Sequence, residues 1–215
     1  MILVPLPTEG FLLQACIPLH CIPLTVYSEK KKGETKMAKT ICIDSGHGGK
    51  DSGAVNGSKY EKTAALAIAK KVGAKLKEKG YNVKYTRTKD VYFSLDERCR
   101  MSNNWDADAF VSIHLNAATN KSATGIETWR YTNVGKQTKT LAENVQAELI
   151  KATGAKDRGV KTSSSFYVLK HTKASAVLVE CGFISNDKEC AKLFSKNYQN
   201  TVANAIAEGV AKAIK

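Results

Sequence analysis

Ala109-Phe-Val-Ser-Ile-His114 is a nearly continuous run of apolar, strand-forming residues that ends in a histidine. Such a run predicts a strand that is buried on both faces, as strands are in parallel sheets covered by helices. Two comparable runs occur elsewhere in the chain, Thr40-Ile-Cys-Ile-Asp44 and Ala176-Val-Leu-Val-Glu180. The chain therefore contains three strands of the kind that form the centre of an α/β sheet.

Helical patterns separate these strands. In residues 61–79 the apolar positions recur at helical spacing, lysines occupy the outer positions, and Gly80 follows as a stop signal. Ser94 and Glu97 form a capping-box pattern at the start of another helix. The same reasoning predicts helices over residues 94–104, 136–153, 186–194 and 198–214, and strands over residues 81–86, 125–131 and 166–169. The order predicts an α/β fold, a single domain with a mainly parallel twisted sheet of about six strands and helices on both faces.

The composition excludes several classes of protein. The chain has 215 residues, of which 43% are hydrophobic, and this is enough for a substantial core. No run approaches the roughly 20 apolar residues that a membrane-spanning helix needs, so we expect no membrane insertion. The net charge of +13 attracts polyanions such as nucleic acid, anionic lipid or an acidic cell wall, and does not choose among them.

Residues 1–36 differ from the rest of the chain in lacking a helical or strand period. Residues 31–37 can be back-translated to a ribosome-binding sequence before an ATG codon, which predicts that natural translation starts at Met37. We therefore expect residues 1–36 to be a non-native or disordered extension and residues 37–215 to be the functional domain. The extension lacks the early positive charge of a signal peptide. Since it carries four lysines and three glutamates, residues 37–215 keep a net charge of +12.

The cysteines of residues 37–215 do not form a Cys-x-x-Cys pair, which argues against a zinc ribbon or a thioredoxin-like motif. Cys42 and Cys181 lie inside apolar strand runs, where buried free thiols are usual. This cysteine usage is compatible with a reducing compartment such as the cytosol.

Polar side chains stand where the predicted strands end. His47 lies in the glycine-rich loop after the first strand, His114 and Glu180 end two other strands, and Glu61 opens the first helix. Because ligands of open α/β sheets bind beyond the carboxyl ends of the strands, we expect these four residues to converge. Two imidazoles and one carboxylate suit a catalytic zinc ion, and the second carboxylate can then act as a base.

Each of these residues also has a purely structural interpretation. A glutamate such as Glu61 is common in the first turn of a helix, and a single histidine after a strand is more often structural than a ligand. Glu180 is harder to explain in this way, because an acid at the end of an apolar strand is costly to bury. A serine nucleophile is less well supported, since neither Ser45 nor Ser112 lies in a Gly-x-Ser-x-Gly elbow.

Six motifs follow one another along the chain between about Lys39 and Lys215. They are Asp44-Ser-Gly-His-Gly-Gly-Lys-Asp-Ser-Gly-Ala54, Glu61, Thr86-Arg-Thr-Lys-Asp90, Ser94-Leu-Asp-Glu-Arg98, Ser112-Ile-His-Leu-Asn-Ala117 and Val179-Glu-Cys-Gly-Phe-Ile-Ser-Asn186. In these motifs and in their order, the chain resembles the zinc-dependent N-acetylmuramoyl-L-alanine amidases of the Amidase_3 type.

The resemblance implies that one Zn²⁺ per chain is bound by His47, Glu61 and His114, and that Glu180 is the catalytic base. It implies hydrolysis of the amide between the lactyl group of N-acetylmuramic acid and the L-alanine of the stem peptide. Asn116, Gly182 and Arg98 belong to the same motifs and are expected to contact the substrate. The expected partners are peptidoglycan and anionic wall polymers rather than nucleic acid, and the expected state is a monomer.

Two alternatives remain open at this stage. One is a zinc peptidase that cuts within the stem peptide, and the other is a basic, non-catalytic module that binds the wall. If translation starts at Met37, the protein is made in the bacterial cytoplasm without an export signal. It would then reach the wall as a phage lysin released through a holin, or as an autolysin released when a mother cell lyses.

Overall fold

The structure is a computed structural model, and it describes residues 38–215. The predictions for residues 1–36 lie outside this part of the chain. The strands are β1 (Thr40–Ser45), β2 (Val55–Asn56), β3 (Lys59–Tyr60), β4 (Asn82–Tyr85), β5 (Ala109–Asn116), β6 (Ile126–Tyr131), β7 (Asp157–Ser163) and β8 (Ser175–Phe183). The helices are α1 (Glu61–Glu78), α2 (Leu95–Asn104), α3 (Lys136–Thr153), α4 (Tyr167–His171), α5 (Asp187–Leu193) and α6 (Lys196–Ala213).

Six strands form one sheet in the order β4-β1-β5-β8-β6-β7. The first four are parallel to one another, whereas β6 runs antiparallel to β8 and β7 runs parallel to β6. Strands β2 and β3 form a separate small hairpin. The prediction of an α/β domain with a mainly parallel six-stranded sheet is confirmed.

One strand prediction was wrong, and one strand was missed. Residues 166–169 were predicted as a strand, but Tyr167–His171 is the short helix α4. Val168 and Leu169 are buried there, and an apolar run this short fits a helix turn as well as a strand. The sixth strand is instead Asp157–Ser163, a half-exposed edge strand whose polar residues give no hydrophobic signal.

The two faces of the sheet carry different layers. Along β5, Ala109, Val111 and Ile113 point into the large core that is shared with α1, α3 and α6. The alternate residue Phe110 packs in a smaller core with the buried residues of α4 and with Cys99 of α2. Because side chains alternate along a strand, His114 lies on the face covered only by the shorter helices α2 and α4. That thinner layer leaves room for a cavity at the strand ends.

Two predicted helix starts are confirmed by their caps. The Ser94 hydroxyl accepts a hydrogen bond from the backbone of Glu97, and the Glu97 carboxylate accepts one from the backbone of Ser94, so the capping box is complete. Asn186 caps α5 by accepting a hydrogen bond from the backbone of Glu189.

The four cysteines of the described residues, Cys42, Cys99, Cys181 and Cys190, are buried free thiols. Burial raises the pKa of each thiol above its usual value. Among residues 38–215, the structure contains no helix with the length and apolar character needed to cross a bilayer.

Candidate active site

The four residues predicted at the strand ends line one cavity of about 550 Å³. The loop after β1 carries His47, α1 begins at Glu61, and β5 and β8 carry His114 and Glu180. His114 and Glu180 are register partners in the parallel pair of β5 and β8. The structure thus brings together all four residues from distant parts of the chain.

His47, Glu61 and His114 form a cluster that could hold a metal ion, because one ligand atom of each lies within 4.8 Å of the others. Glu61 Oε2 lies 3.1 Å from His47 Nε2, and Glu61 Oε1 lies 2.9 Å from His114 Nδ1. Two ligands of a tetrahedral zinc ion with bonds of 2.0–2.1 Å are roughly 3.3 Å apart. The spacing and the donor atoms therefore fit a shared metal ion.

The Glu61 carboxylate is held in place by the backbone on both sides. The amide of Leu115 donates to Oε1 at 3.0 Å, and the amide of Ala54 donates to Oε2 at 2.9 Å. Burial would raise the pKa of Glu61, but its hydrogen bonds with His114 and His47 hold that pKa well below its usual range. Glu61 is therefore a fixed, ionised carboxylate.

The negative charge of Glu61 affects the pKa values of both histidines. Burial would lower the pKa of His114, but the hydrogen bond with Glu61 outweighs it and raises that pKa above its usual value. The pKa of His47 is raised in the same way, with a further contribution from Asp51. Asp51 Oδ2 lies 2.8 Å from His47 Nδ1 and leaves Nε2 directed toward the cluster. A carboxylate behind a histidine is the usual way to orient a metal ligand.

The glycines of the loop after β1 make room for this cluster. His47 has a positive φ of 59°, and a β-carbon at Gly46 would lie 2.5 Å from the ring of His114. Gly53 also has a positive φ, and a β-carbon there would lie 2.6 Å from both Glu61 Oε2 and His47 Cδ2. Glycine is required at Gly53 for both its conformation and its close approach.

Glu180 differs from the other acids of the site in its hydrogen bonding. Its Oε2 atom is buried and has no hydrogen-bond partner among the described residues. Burial, with smaller contributions from the charges of Glu61 and Glu127, raises the pKa of Glu180 to about 7. A carboxyl group that titrates near neutral pH is suited to accept and return a proton.

Arg98, which was expected to contact the substrate, is buried at the edge of the cavity and binds several protein atoms. Its side chain is 3% exposed, and its Nη1 atom lies 2.7 Å from Asp44 Oδ1 and 2.6 Å from the Ser45 carbonyl oxygen. Its Nη2 atom donates to the carbonyl oxygen of His47 at 2.6 Å, and its Nε atom donates to that of Phe93. Arg98 borders the cavity, and these contacts tie it to the loop that carries His47.

The sequence did not predict a role for Asp44. In the structure, Asp44 is buried and forms an ion pair with Arg98. Its carboxylate also accepts hydrogen bonds from Thr86 Oγ1 at 2.7 Å and from Ser112 Oγ at 2.6 Å. Burial would raise the pKa of Asp44, but Arg98 and these hydroxyls lower it below its usual value. In the sequence, the position of Asp44 at the end of an apolar strand, like that of Glu180, indicated that its carboxylate could be buried.

Asn116 and Gly182, the other expected substrate contacts, have different surroundings. Asn116 lines the cavity, and its Nδ2 atom donates to Glu127 Oε1 at 2.9 Å. Because an ionised carboxylate only accepts hydrogen bonds, this contact fixes the orientation of the Asn116 amide. Gly182 is buried in β8 with a φ of +143° and is not among the residues that line the cavity.

Glu127 is a second buried acid that sequence reasoning missed. Its Oε2 atom accepts hydrogen bonds from Arg158 at 2.7 Å and Lys161 at 2.6 Å, and its Oε1 atom accepts one from Trp129 Nε1 at 3.0 Å. The two cations lie on β7, the strand that was not predicted. In the sequence, the position of Glu127 next to the apolar Ile126 in a predicted strand could have indicated a buried acid.

One wall of the cavity is apolar and open to solvent. Tyr92, Leu95 and Tyr167 line it with exposed fractions of 42%, 54% and 37%, and Phe166 lies beside them. Exposed apolar side chains around a concave site are typical of a ligand-binding surface.

The cavity at the ends of the parallel strands contains a His/Glu/His cluster and a neighbouring carboxyl group of raised pKa. This combination defines a candidate hydrolytic enzyme of the α/β class. Comparison with known proteins narrows this class. The family model for N-acetylmuramoyl-L-alanine amidase, Amidase_3, matches residues 41–212. The chain belongs to this family of peptidoglycan hydrolases.

Individual relatives agree with the family. The chain is 38% identical over 200 residues to the uncharacterized protein YqiI of Bacillus subtilis, covering 93% of this chain and 96% of YqiI. It is 40% identical over 185 residues to the endolysin of Bacillus phage SPP1, covering 83% of this chain and 67% of the endolysin. The crystal structure of N-acetylmuramoyl-L-alanine amidase from Clostridium difficile 630 matches with 41% identity and a TM-score of 0.78, covering 81% of this chain and 96% of that one.

Proposed function

We propose that the domain is a zinc-dependent amidase that cleaves the bond between the lactyl group of N-acetylmuramic acid and the L-alanine of the stem peptide. The observation that carries this proposal is the convergence of His47, Glu61 and His114 beside Glu180 in one cavity. Membership of the amidase family supports the choice of bond.

Zinc is the metal that best fits the donor set of His47, Glu61 and His114. When bound, the ion would polarise the carbonyl oxygen and acidify water. The chain contributes a preformed site, because the backbone amides of Leu115 and Ala54 hold Glu61 in place. Both histidines must be neutral to bind a metal, so metal binding should release protons.

Glu180 is proposed as the general base and then the general acid. Its carboxylate takes a proton from the attacking water, whose oxygen forms a bond to the lactyl carbonyl carbon. The same proton then passes to the nitrogen of L-alanine as the carbon–nitrogen bond breaks. The products are a lactyl carboxylate on the glycan and a stem peptide with a free amino terminus. The unpaired Oε2 atom leaves Glu180 free for this transfer.

Other residues are proposed to position the reacting groups. Asn116 lines the cavity, and its fixed amide would present the Oδ1 atom as an acceptor for an N–H group of the substrate. Arg98 would act through the His47 loop rather than on the substrate. A substrate contact for Gly182 stays a prediction, and its position would require the backbone to make that contact.

Digestion of purified peptidoglycan by the zinc-loaded protein tests the proposal. Release of L-alanine amino termini without new reducing sugars is the expected result. Cleavage inside the stem peptide would support a zinc peptidase instead. Wall binding without any release, even with excess zinc, would support a non-catalytic module.

We further propose that the protein acts at the cell wall as a monomer, with peptidoglycan and anionic wall polymers as partners and without nucleic acid. The similarity to a phage endolysin supports synthesis in the bacterial cytoplasm followed by release. The genes next to its own test this proposal, because an adjacent holin gene points to a phage lysin and sporulation genes point to an autolysin.

The start of the natural protein at Met37 also stays a proposal. The match with YqiI covers 93% of the chain, which is more than residues 37–215 contain, so it extends into the first 36 residues. Mass spectrometry of protein made from the native gene decides the question. Peptides from residues 1–30 would overturn the start at Met37.

A further inference from the structure

Two further cavities adjoin the catalytic cavity through shared lining residues. Ala54 and Ala117 line both the catalytic cavity and a second cavity of about 470 Å³. Lys121 lines this second cavity and also a third one of about 620 Å³. The shared residues place the second cavity between the catalytic cavity and the third one.

The third cavity, which we call the lysine groove, is rich in free cations. Lys121, Lys156, Lys188 and Lys192 line it, and all four side chains are exposed. None of the four forms an ion pair within the described part of the chain, whereas other exposed lysines such as Lys79 do. Four unpaired ammonium groups around one cavity attract an anionic ligand.

The acidic residues of the lysine groove are already engaged. Glu189 accepts hydrogen bonds from the backbone amides of Gly125 at 2.9 Å and Phe183 at 2.7 Å. Asp187 accepts one from the side chain of Asn56 at 2.9 Å. These carboxylates face groups other than the four lysines, so the lysines remain available to a ligand.

We infer that the lysine groove binds the carboxylates of the stem peptide while the scissile bond lies in the catalytic cavity. This inference rests on the proposed amidase function. A stem peptide carries a terminal carboxylate and can carry a second one on its glutamate. The sugar ring on the other side of the scissile bond carries no charge of its own. The apolar wall at Leu95, Phe166 and Tyr167 suits the sugar, and the lysine groove suits the peptide. The substrate therefore binds in one direction.

The test uses defined muramoyl peptides with free or amidated carboxyl groups and measures kcat and KM for each. Replacing the four groove lysines by alanine should raise KM for the free-carboxylate substrate roughly tenfold, the combined effect of several exposed charge contacts. The kcat should stay unchanged, because these contacts are equal in the ground and transition states. KM for the amidated substrate should change little. The matched control replaces four exposed lysines that line none of these three cavities, Lys70, Lys84, Lys136 and Lys139.

Three outcomes would overturn the inference: an unchanged KM, an equal loss on both substrates, or a loss seen only with walls that carry phosphate polymers. The last outcome would assign the groove to the polymer. High salt should reduce the difference between wild type and variant. A wild-type protein that releases no L-alanine amino termini refutes the amidase function itself, whereas an active wild type with unaffected lysine variants refutes only the groove.

Discussion

Asp44 and Glu180 are two carboxyl groups near the carboxyl ends of the parallel strands β1 and β8, which lie on either side of β5, and both border the same cavity. Asp44 receives hydrogen bonds from Thr86, Ser112 and Arg98, and these contacts keep it ionised. Glu180 leaves one buried oxygen without a partner among the described residues, and burial raises its pKa to about 7. A buried charge with every partner supplied serves the fold, whereas a buried acid left unpaired remains free to exchange a proton.

The largest expected effect concerns Glu180, the unpaired acid of this comparison. Glu180→Gln removes the proposed general base, so kcat should fall roughly a hundredfold to ten-thousandfold. Zinc content and thermal unfolding should match those of wild type, because the variant creates no unpaired charge. Glu143→Gln, at an exposed position of α3, is the control and should keep full activity. Retained turnover in Glu180→Gln would show that the base lies elsewhere.

The next effect concerns Asp44, where the loss should appear in stability. Asp44→Asn leaves the guanidinium of Arg98 buried without its counter-charge, which should lower the free energy of unfolding by about 3–5 kcal/mol. Chemical denaturation measures this change. Asp106→Asn is the control, since Asp106 is exposed and asparagine tolerates its positive φ. Equal stabilities of the two variants would contradict a structural role for the Asp44 pair.

A smaller effect extends the contrast to Glu61, which is paired like Asp44 but is a proposed metal ligand. Gly53→Ala would push a β-carbon against Glu61 Oε2 and His47, and zinc affinity should fall roughly 10- to 100-fold. Gly57→Ala is a matched control, because Gly57 also has a positive φ but has no atom within 4 Å of the added carbon. Both variants should lose about 1–2 kcal/mol of stability from strain. Equal zinc affinities in competition titrations would show that the close approach at Gly53 is unimportant.

The smallest effect is a difference in pH dependence. The pKa of Asp44 is lower in the folded than in the unfolded chain, so the unfolded state binds more protons as pH falls. The stability that Asp44 contributes is present above its unfolded pKa of about 3.9, and it is lost as pH falls through the lower, folded value. Asp44→Asn should therefore show a shallower loss of stability below about pH 4 than wild type. Parallel curves for the two proteins would rule out this contribution.

Periodicity predicted most of the fold. Residues 61–79 and 136–153 had clear helical patterns, and the apolar runs at 109–114 and 176–180 became central strands. Tertiary context decided the rest. Tyr167–His171 became a helix because its apolar side chains pack under the sheet, and Asp157–Ser163 became an edge strand through its pairing with β6.

Sheet topology explains why part of the candidate site could be predicted from the sequence. His47, His114 and Glu180 stand at strand ends, where the topology of a parallel sheet brings them together. The contacts of Arg98 with the protein could not be predicted, because no spacing in the sequence shows that its guanidinium group binds Asp44. The pairing of Glu127 with cations of β7 was equally hidden, since it depends on a strand that the sequence did not reveal.

The buried thiols have a consequence for the proposed release of the enzyme from the cytoplasm to the cell wall. A raised pKa leaves each cysteine almost without thiolate, and the thiolate is the form that oxidises or exchanges disulfides. Cys181 follows Glu180 directly in the chain but lies in the core on the opposite face of the sheet. We therefore expect the thiols of the folded domain to stay reduced in oxidising as well as reducing surroundings.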